Sequence, residues 1–151
     1  MRKFVLTILV LVGGCAHATP LARPIAERLR ARVSIVVDVR GTVPGGNVVV
    51  ALYADDATFL EEGYAARSGH VVATDGSTRI AFDAVPAGRY AAVAYQDANA
   101  DGKLGRSLVG WPTEPFGFSN GGSVGLFGPP SFDDCAFDAE RASTTASVFV
   151  R

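Results

Sequence analysis

The run Asp97-Ala98-Asn99-Ala100-Asp101-Gly102-Lys103 has the residue spacing of a cation-binding loop. Oxygen-bearing side chains stand at positions 1, 3 and 5 and a glycine at position 6, as in the first half of an EF-hand-type calcium loop. Alternate side chains of such a run point inward, and the glycine permits the sharp turn. The second half of the pattern is missing, because Gly105 and Leu108 occupy the positions where a further ligand and a bidentate glutamate would stand.

A calcium ion at this loop would therefore need ligands from elsewhere, and Asp133 and Asp134 are candidates alongside Glu114. The alternative is a loop closed without metal by Asx turns, in which Asn and Asp side chains accept hydrogen bonds from nearby backbone N–H groups. Calcium is the one cofactor that the sequence suggests. The predicted metal-binding set is Asp97, Asn99, Asp101, Lys103 and Glu114.

Aromatic residues are concentrated in the same part of the chain. They allow two interpretations: a small satellite core that covers an open end of the fold, or an exposed platform on which a sugar or another planar ligand stacks. The platform would use Trp111, Phe116 and Phe118. The full aromatic set is Trp111, Phe116, Phe118, Phe127, Phe132 and Phe137.

No catalytic set can be identified from the spacing. His70 begins a predicted strand with no Ser or Cys nucleophile identifiable nearby, and we expect a surface or structural histidine. Cys135 is flanked by acidic residues that disfavour its thiolate, so we expect it to pack rather than react. An enzyme would have to use loop carboxylates such as Asp97, Asp101 or Glu114 as acid and base.

The N-terminus is typical of an export leader at residues 1–18. Arg2 and Lys3 precede a short apolar run and a small-residue exit. Two processing sites compete: a lipoprotein-like box in which Cys15 is lipidated, and cleavage after Ala18. Export to the periplasm or cell surface follows from either, with a lipid at Cys15 as the only membrane attachment. The mild net charge of -1, made more negative by loss of the leader, argues against a nucleic-acid partner.

The elements that must position these residues are strands. After a linker at residues 19–31, the alternation of Val33, Ile35, Val37 and Val39 with more polar residues predicts a strand with one buried face. Val48, Val50 and Leu52 repeat the pattern after the turn residues 44–47, so we expect a hairpin. Further strands are predicted at 70–74, 78–85, 91–95 and 144–151, with a connector of one or two helical turns at 55–62 and one more candidate strand at 123–127.

The predicted fold is all-β: a single seven-stranded antiparallel β-sandwich over residues 32–151, with one long loop rich in Gly, Pro and aromatics. The strand entered at Pro86-Ala87-Gly88 carries Tyr90 at a position where sandwich tyrosines pack the ring in the core and bond loop backbone through the hydroxyl. Loops as long as the one after Tyr95 are uncommon unless functional or disordered, so we expect something to hold it.

The segments VPAGRY at 85–90, QDANADGKLGRSLVGWPTEPFGFSN at 96–120 and FGPPSFDD at 127–134 resemble the bacterial domain of unknown function 2141 family. The resemblance implies an exported protein with a prealbumin-like or transthyretin-like sandwich, as in collagen-binding B-type repeats and carboxypeptidase regulatory domains. It implies no activity. The chain departs from the family pattern at Gln96, where histidine is usual, and at Gly105, where an acidic residue is usual, and both departures weaken the calcium interpretation.

Three functions are compatible with these features. The first is a non-enzymatic binding or accessory module of the cell envelope, whose partner is an unidentified ligand or envelope protein, because sandwiches commonly present ligand surfaces on end loops. The second is a hydrolase that uses the loop carboxylates. The third is a structural spacer that calcium only stabilises.

Overall fold

A computed structural model describes residues 31–105, 112–126 and 128–151 of the chain. This part is mostly β and forms two sheets. A 3-10 turn at Asp56–Thr58 and a four-residue helix α1 at Phe132–Cys135 complete it. The strands are β1 (Arg32–Thr42), β2 (Asn47–Tyr53), β3 (Arg67–Val72), β4 (Gly76–Pro86), β5 (Gly88–Asp97), β6 (Phe116–Phe118), β7 (Ala136–Ala139) and β8 (Ser143–Phe149).

The first sheet has three strands in the order β4-β1-β8, and the second has the order β3-β2-β5-β6, with β7 also paired to β5. The expectation of a wholly antiparallel fold is wrong for one pair, because β1 and β8 run parallel. The described residues form eight strands rather than seven. The two short ones, β6 and β7, lie inside the long connection, whereas residues 123–126, a candidate strand in the sequence, form none.

The predicted hairpin between the first two strands is also wrong. β1 pairs with β4 and β8, and β2 pairs with β3 and β5, so the turn between them passes from one sheet to the other. The Gln96 side chain supplies the hydrogen bonds that this turn lacks. Its amide nitrogen donates to the carbonyls of Val43 (2.7 Å) and Gly45 (2.9 Å), and its oxygen accepts from the Val43 N–H (3.1 Å). Backbone polar groups of the corner are thereby satisfied without a ladder.

The turn at Asp75-Gly76 lies where the sequence predicts it, but it too joins strands of different sheets, β3 and β4. Hydroxyl groups hold this corner. The Thr42 hydroxyl donates to the Thr74 carbonyl at 2.6 Å, and the Thr78 hydroxyl accepts from the Thr74 N–H at 2.9 Å. The helical connector predicted at 55–62 is confirmed as the 3-10 turn, with Asp55 accepting from the Thr58 N–H as its N-cap.

The main hydrophobic cluster draws on both sheets, and the period-two prediction is confirmed for β1, β2 and β8. Every apolar residue that the alternation assigns to the inner face is buried. Each buried Val, Leu or Ile side chain of this set contributes about 1.5–3 kcal/mol of burial free energy. The confirmed inner-face residues are Val33, Ile35, Val37, Val39, Val48, Val50, Leu52, Ala146, Val148 and Val150.

A second hydrophobic cluster forms where the long connection covers the outer face of the five-stranded sheet. Tyr53 and Ala91 from β2 and β5 meet Phe118, Phe132 and Cys135 from the connection. The satellite core expected from the aromatic residues is confirmed for Phe116, Phe118 and Phe132, but it covers a sheet face rather than an open end of the fold. Phe137 packs against the main cluster instead, and Trp111 and Phe127 lie outside the described residues. Sequence periodicity could not show this, because β5 is apolar on both faces from Ala91 to Ala94 and so shows no alternation there.

Candidate functional site

The loop at residues 97–105 is held by backbone N–H groups that donate to its acidic side chains. Asp97, at the end of β5 and only 1% exposed, accepts from the N–H of Asp101 (3.2 Å) and of Gly102 (2.8 Å) through different carboxylate oxygens. Asn99 accepts from Asp101 N–H at 3.2 Å, and Asp101 accepts from Lys103 N–H at 2.9 Å. Gly102 has a φ of +77°, the conformation that the predicted sharp turn requires.

Glu114, which follows residues 106–111 in the chain, binds back to the two ends of this loop. One of its carboxylate oxygens accepts from the Ala98 N–H at 3.0 Å and the other from the Gly105 N–H at 2.9 Å. A backbone bond from Thr113 N–H to the Gly105 carbonyl at 2.8 Å joins the same two segments. The carboxylate thus acts as a clamp across the base of the loop.

The carboxylates of the loop set the electrostatics of its surroundings. The Tyr95 hydroxyl donates to the Gly102 carbonyl at 3.3 Å. Burial raises the pKa of Tyr95, and the negative charges of Asp97, Glu114 and Asp101 raise it further. Tyr95 therefore remains a neutral hydrogen-bond donor at physiological pH.

The structure thus brings together Asp97, Asn99, Asp101 and Glu114 and gives each of these side chains a backbone partner. Lys103, the fifth residue of the predicted set, joins this network through its backbone N–H. Within residues 31–105, 112–126 and 128–151 no group of three or more His, Cys, Asp or Glu side chains is arranged to hold a metal ion. The two further candidates make other contacts. Asp133 pairs with Arg89 at 2.6 Å, and the Asp134 carboxylate accepts from the N-cap residue Ser131 in the capping box of α1. The calcium site stays a prediction, and the hydrogen-bonded loop is the alternative that these contacts favour.

Of the three platform residues, Trp111 lies outside the described residues. Phe118 is 6% exposed and belongs to the second hydrophobic cluster, so its ring faces no open solvent. Phe116 is half-buried and meets Phe118 edge to face, with ring centroids 5.9 Å apart. Only Phe116 of the described pair keeps part of its ring accessible to a ligand.

Two other residues considered in the sequence are the histidine and the cysteine of the described domain. His70 is exposed on β3, as expected for a surface histidine. Cys135 is buried and unpaired. Burial raises the pKa of the Cys135 thiol to about 11, and the charge of Asp134 adds to the effect. The thiolate is therefore disfavoured mainly by burial, and only secondarily by the flanking acids that the sequence pointed to. Cys15 lies outside the described residues.

A groove of about 530 Å³ lies between the connection and β8, and we call it the β6–β8 groove. At its base β6 and the end of β8 approach closely: Phe116 and Arg151 exchange backbone hydrogen bonds, and Gly117 lies so near the Phe149 carbonyl that a side chain could not fit. The side chains that line it include Arg40, Phe116, Val124, Ser147, Phe149 and Arg151.

An ion-paired carboxylate adjoins this groove on the outer face of the three-stranded sheet. Asp38 is 5% exposed and accepts from Arg40 Nε (3.1 Å) and Arg79 Nε (3.2 Å). Burial alone would raise the pKa of Asp38, but the hydrogen bonds and charges of the two arginines outweigh it and leave the pKa lowered. The cover is thin, since the arginine side chains are themselves 60% and 72% exposed.

Of these groove residues, sequence reasoning selected only Phe116, as part of the aromatic platform. The alternation did place Asp38 and Arg40 on the outward face of β1, and a carboxylate two residues before an arginine on one strand face was the available signal. Nothing in the sequence brings Phe149 and Arg151 to β6, because that contact depends on the parallel pairing of β8.

Comparison with known proteins gives one result. A family model described as an uncharacterized protein conserved in bacteria, domain of unknown function 2141, matches residues 37–147. The chain belongs to this family. The match runs from within β1 to within β8 and includes the whole long connection, so the loop lies inside the matched region. Phe149 and Arg151 of the groove lie just beyond its end. No curated protein and no solved structure matches the chain. No helix in the described part of this family member is long and apolar enough to cross a bilayer.

Proposed function

We propose that this protein is an exported, non-enzymatic binding module of the bacterial cell envelope, and that its ligand site is the β6–β8 groove. The observation that carries the proposal is the groove itself. Its volume of about 530 Å³ falls within the range of small-molecule sites, about 300–1,000 Å³. Its lining also combines exposed aromatic surface with arginine side chains, a combination that favours recognition of a ligand.

The scaffold of this module is a β-sandwich of the transthyretin or prealbumin type. Two features support the assignment. The inner faces of the two sheets contribute to one hydrophobic cluster. The buried Tyr90 hydroxyl donates to the Pro86 carbonyl at 2.7 Å, the loop contact expected for a sandwich tyrosine at this corner.

Export is supported by the leader pattern at residues 1–18, which lie outside the described residues. Expression of the full chain in a bacterial host, followed by fractionation and intact-mass measurement, tests it. A mature chain that begins at Thr19 indicates ordinary cleavage, and a lipid-sized mass increment at Cys15 indicates an anchored lipoprotein. A cytoplasmic chain that retains residues 1–18 would contradict export.

The hydrolase alternative is less well supported by the contacts of its carboxylates. A general acid or base needs an oxygen that can face the substrate. Asp97 and Glu114 each direct both carboxylate oxygens at backbone N–H groups, and Asp101 binds both the Lys103 N–H and the Asn99 amide. These bonds fit a role in holding the loop in place.

A fragment screen by NMR separates the binding module from the structural spacer. The full exported protein, labelled with ¹⁵N, is titrated with a panel of small organic ligands. Binding at the groove shifts the amide signals of Gly117, Gly121 and Gly122, which line it and resonate in a distinct region of the spectrum. A panel that shifts none of these amides would support the spacer and contradict the binding module.

A further inference from the structure

We infer that the β6–β8 groove binds a small organic anion, a carboxylate whose aromatic or aliphatic body lies against Phe149 and Phe116 while its charge meets Arg40. This inference rests on the proposed binding function and adds the chemical class of the ligand. It depends on three features of the groove: an oriented cation, an exposed apolar surface beside it, and the lack of negative side chains among the lining residues that the structure describes.

Arg40 is held in place with most of its donors available. Its Nε atom donates to one carboxylate oxygen of Asp38, and Arg79 Nε donates to the other oxygen. The terminal nitrogens of Arg40 make no hydrogen bond to any residue that the structure describes. A guanidinium carries five N–H donors in a planar fork that matches a carboxylate. Asp38 is therefore a positioning residue that orients an arginine whose remaining donors face solvent.

The apolar surface stands directly beside this cation. Arg40 on β1 and Phe149 on β8 are register partners in the parallel pair, so their side chains are neighbours on the outer face of the sheet. Phe149 is 60% exposed, one of the most exposed large apolar side chains in the described part of the chain. Phe116 borders the groove from β6, where its backbone is bonded to Arg151.

The charge of the lining selects the sign of the ligand. Arg40 and Arg151 are the ionisable side chains among the described lining residues, and none of those residues is acidic. The whole chain is by contrast slightly acidic, with a formal charge of -1. A local cluster of arginines against an acidic background attracts anions and repels cations. The exposed hydroxyl of the adjoining Ser147 offers a further donor to a carboxylate.

The test compares matched probes by NMR titration of the full exported protein. 2-Naphthoate carries the carboxylate, and 2-naphthalenemethanol has the same ring system without charge. We expect naphthoate to shift the groove glycine amides and to bind about tenfold more tightly than the alcohol, because charge-assisted hydrogen bonds to Arg40 are lost with the neutral probe. Raising the sodium chloride concentration to about 0.5 M should weaken naphthoate more than the alcohol.

Variants assign the effect to the groove. Arg40→Gln should weaken naphthoate about tenfold and leave the alcohol unchanged. Arg141→Gln removes the same charge at an exposed position outside the groove lining and should leave both probes unchanged. Arg151→Gln provides a second groove variant if Arg40→Gln gives an unfolded spectrum. Equal binding of the two probes, or equal loss in the Arg40 and Arg141 variants, would overturn the anion inference while the binding module stands. Absence of shifts with either probe, together with a fragment panel that shifts no groove amide, would overturn both.

Discussion

Ser119→Ala tests whether the long connection is an integral part of the folded unit. Ser119 follows β6 and is fully buried, and its hydroxyl bridges two elements. It accepts from the Ala92 N–H on β5 at 2.8 Å and donates to the Cys135 carbonyl at the end of α1 at 2.6 Å. The substitution removes both bonds and leaves a donor and an acceptor buried without partners.

The magnitude follows from these two groups. A buried polar group that loses its partner costs about 1–3 kcal/mol. With partial relaxation we expect Ser119→Ala to lower the free energy of unfolding by about 2–4 kcal/mol, a large fraction of the roughly 5–15 kcal/mol typical of a domain. The corresponding decrease in Tm is roughly 10 °C for a domain of this size.

Urea denaturation followed by far-ultraviolet circular dichroism measures the effect, with hydrogen exchange at the Ala92 amide as a local readout. Ser123→Ala is the matched control, since Ser123 lies on the same connection, is exposed and makes no side-chain hydrogen bond to the described residues. We expect the control to stay within about 0.5 kcal/mol of the parent. An equally small effect of Ser119→Ala, with Ala92 still protected, would refute the bridge.

Four further predictions concern titratable groups and the calcium loop. The folded pKa of Asp38 is lowered, so its contribution to stability is present above its unfolded pKa of about 3.9 and is lost as pH falls through the folded value. Asp38→Asn should therefore lower the free energy of unfolding at pH 7 and much less near pH 3, as measured by urea titration. The pairs with exposed arginines limit this cost to about 1 kcal/mol. The Cys135 thiol, with its pKa raised to about 11, should resist a disulfide reagent at pH 8 until urea unfolds the protein, and rapid labelling of the native chain would contradict its burial. Glu114→Gln should lower stability by about 1–2 kcal/mol and expose the loop to proteolysis, because an amide nitrogen cannot accept a backbone N–H. EDTA should leave the parent Tm unchanged, whereas a Tm that rises with millimolar calcium would support the calcium site instead.

Much of the fold was predictable because strand periodicity reports burial directly. Val33 to Val39 alternate in the sequence and are buried on one face, and the same holds for Val48 to Leu52. Turn positions were equally well marked, as at Asp75-Gly76. The sheet in which each strand lies could not be predicted, because the same turn residues occur in a hairpin and in a crossing between sheets. The difference at the first corner is made by Gln96, a residue some fifty positions away along the chain.

The candidate sites divide in the same way. The residues of the 97–103 run and Glu114 were selected from residue type and spacing, and the structure places them in one loop. The role that the structure gives their carboxylates, as acceptors for backbone N–H groups, depended on where Ala98 and Gly105 lie in space. The missing second half of the pattern weakens the calcium interpretation, but spacing alone does not decide between a calcium loop and an Asx-turn loop, because both place oxygen atoms at alternate positions.

The sequence by itself determined that the chain from residue 32 onward is rich in β structure, which side chains form its inner faces, where the chain turns, and which family it resembles, since these depend on local periodicity and motif. Tertiary structure alone decided the parallel pairing of β1 with β8 and the contact of β8 with β6. Those pairings bring Arg40, Phe116, Phe149 and Arg151 to one groove from three separate segments. No local pattern encodes such a meeting, because it is fixed by how the two sheets and the connection bury their surfaces against one another.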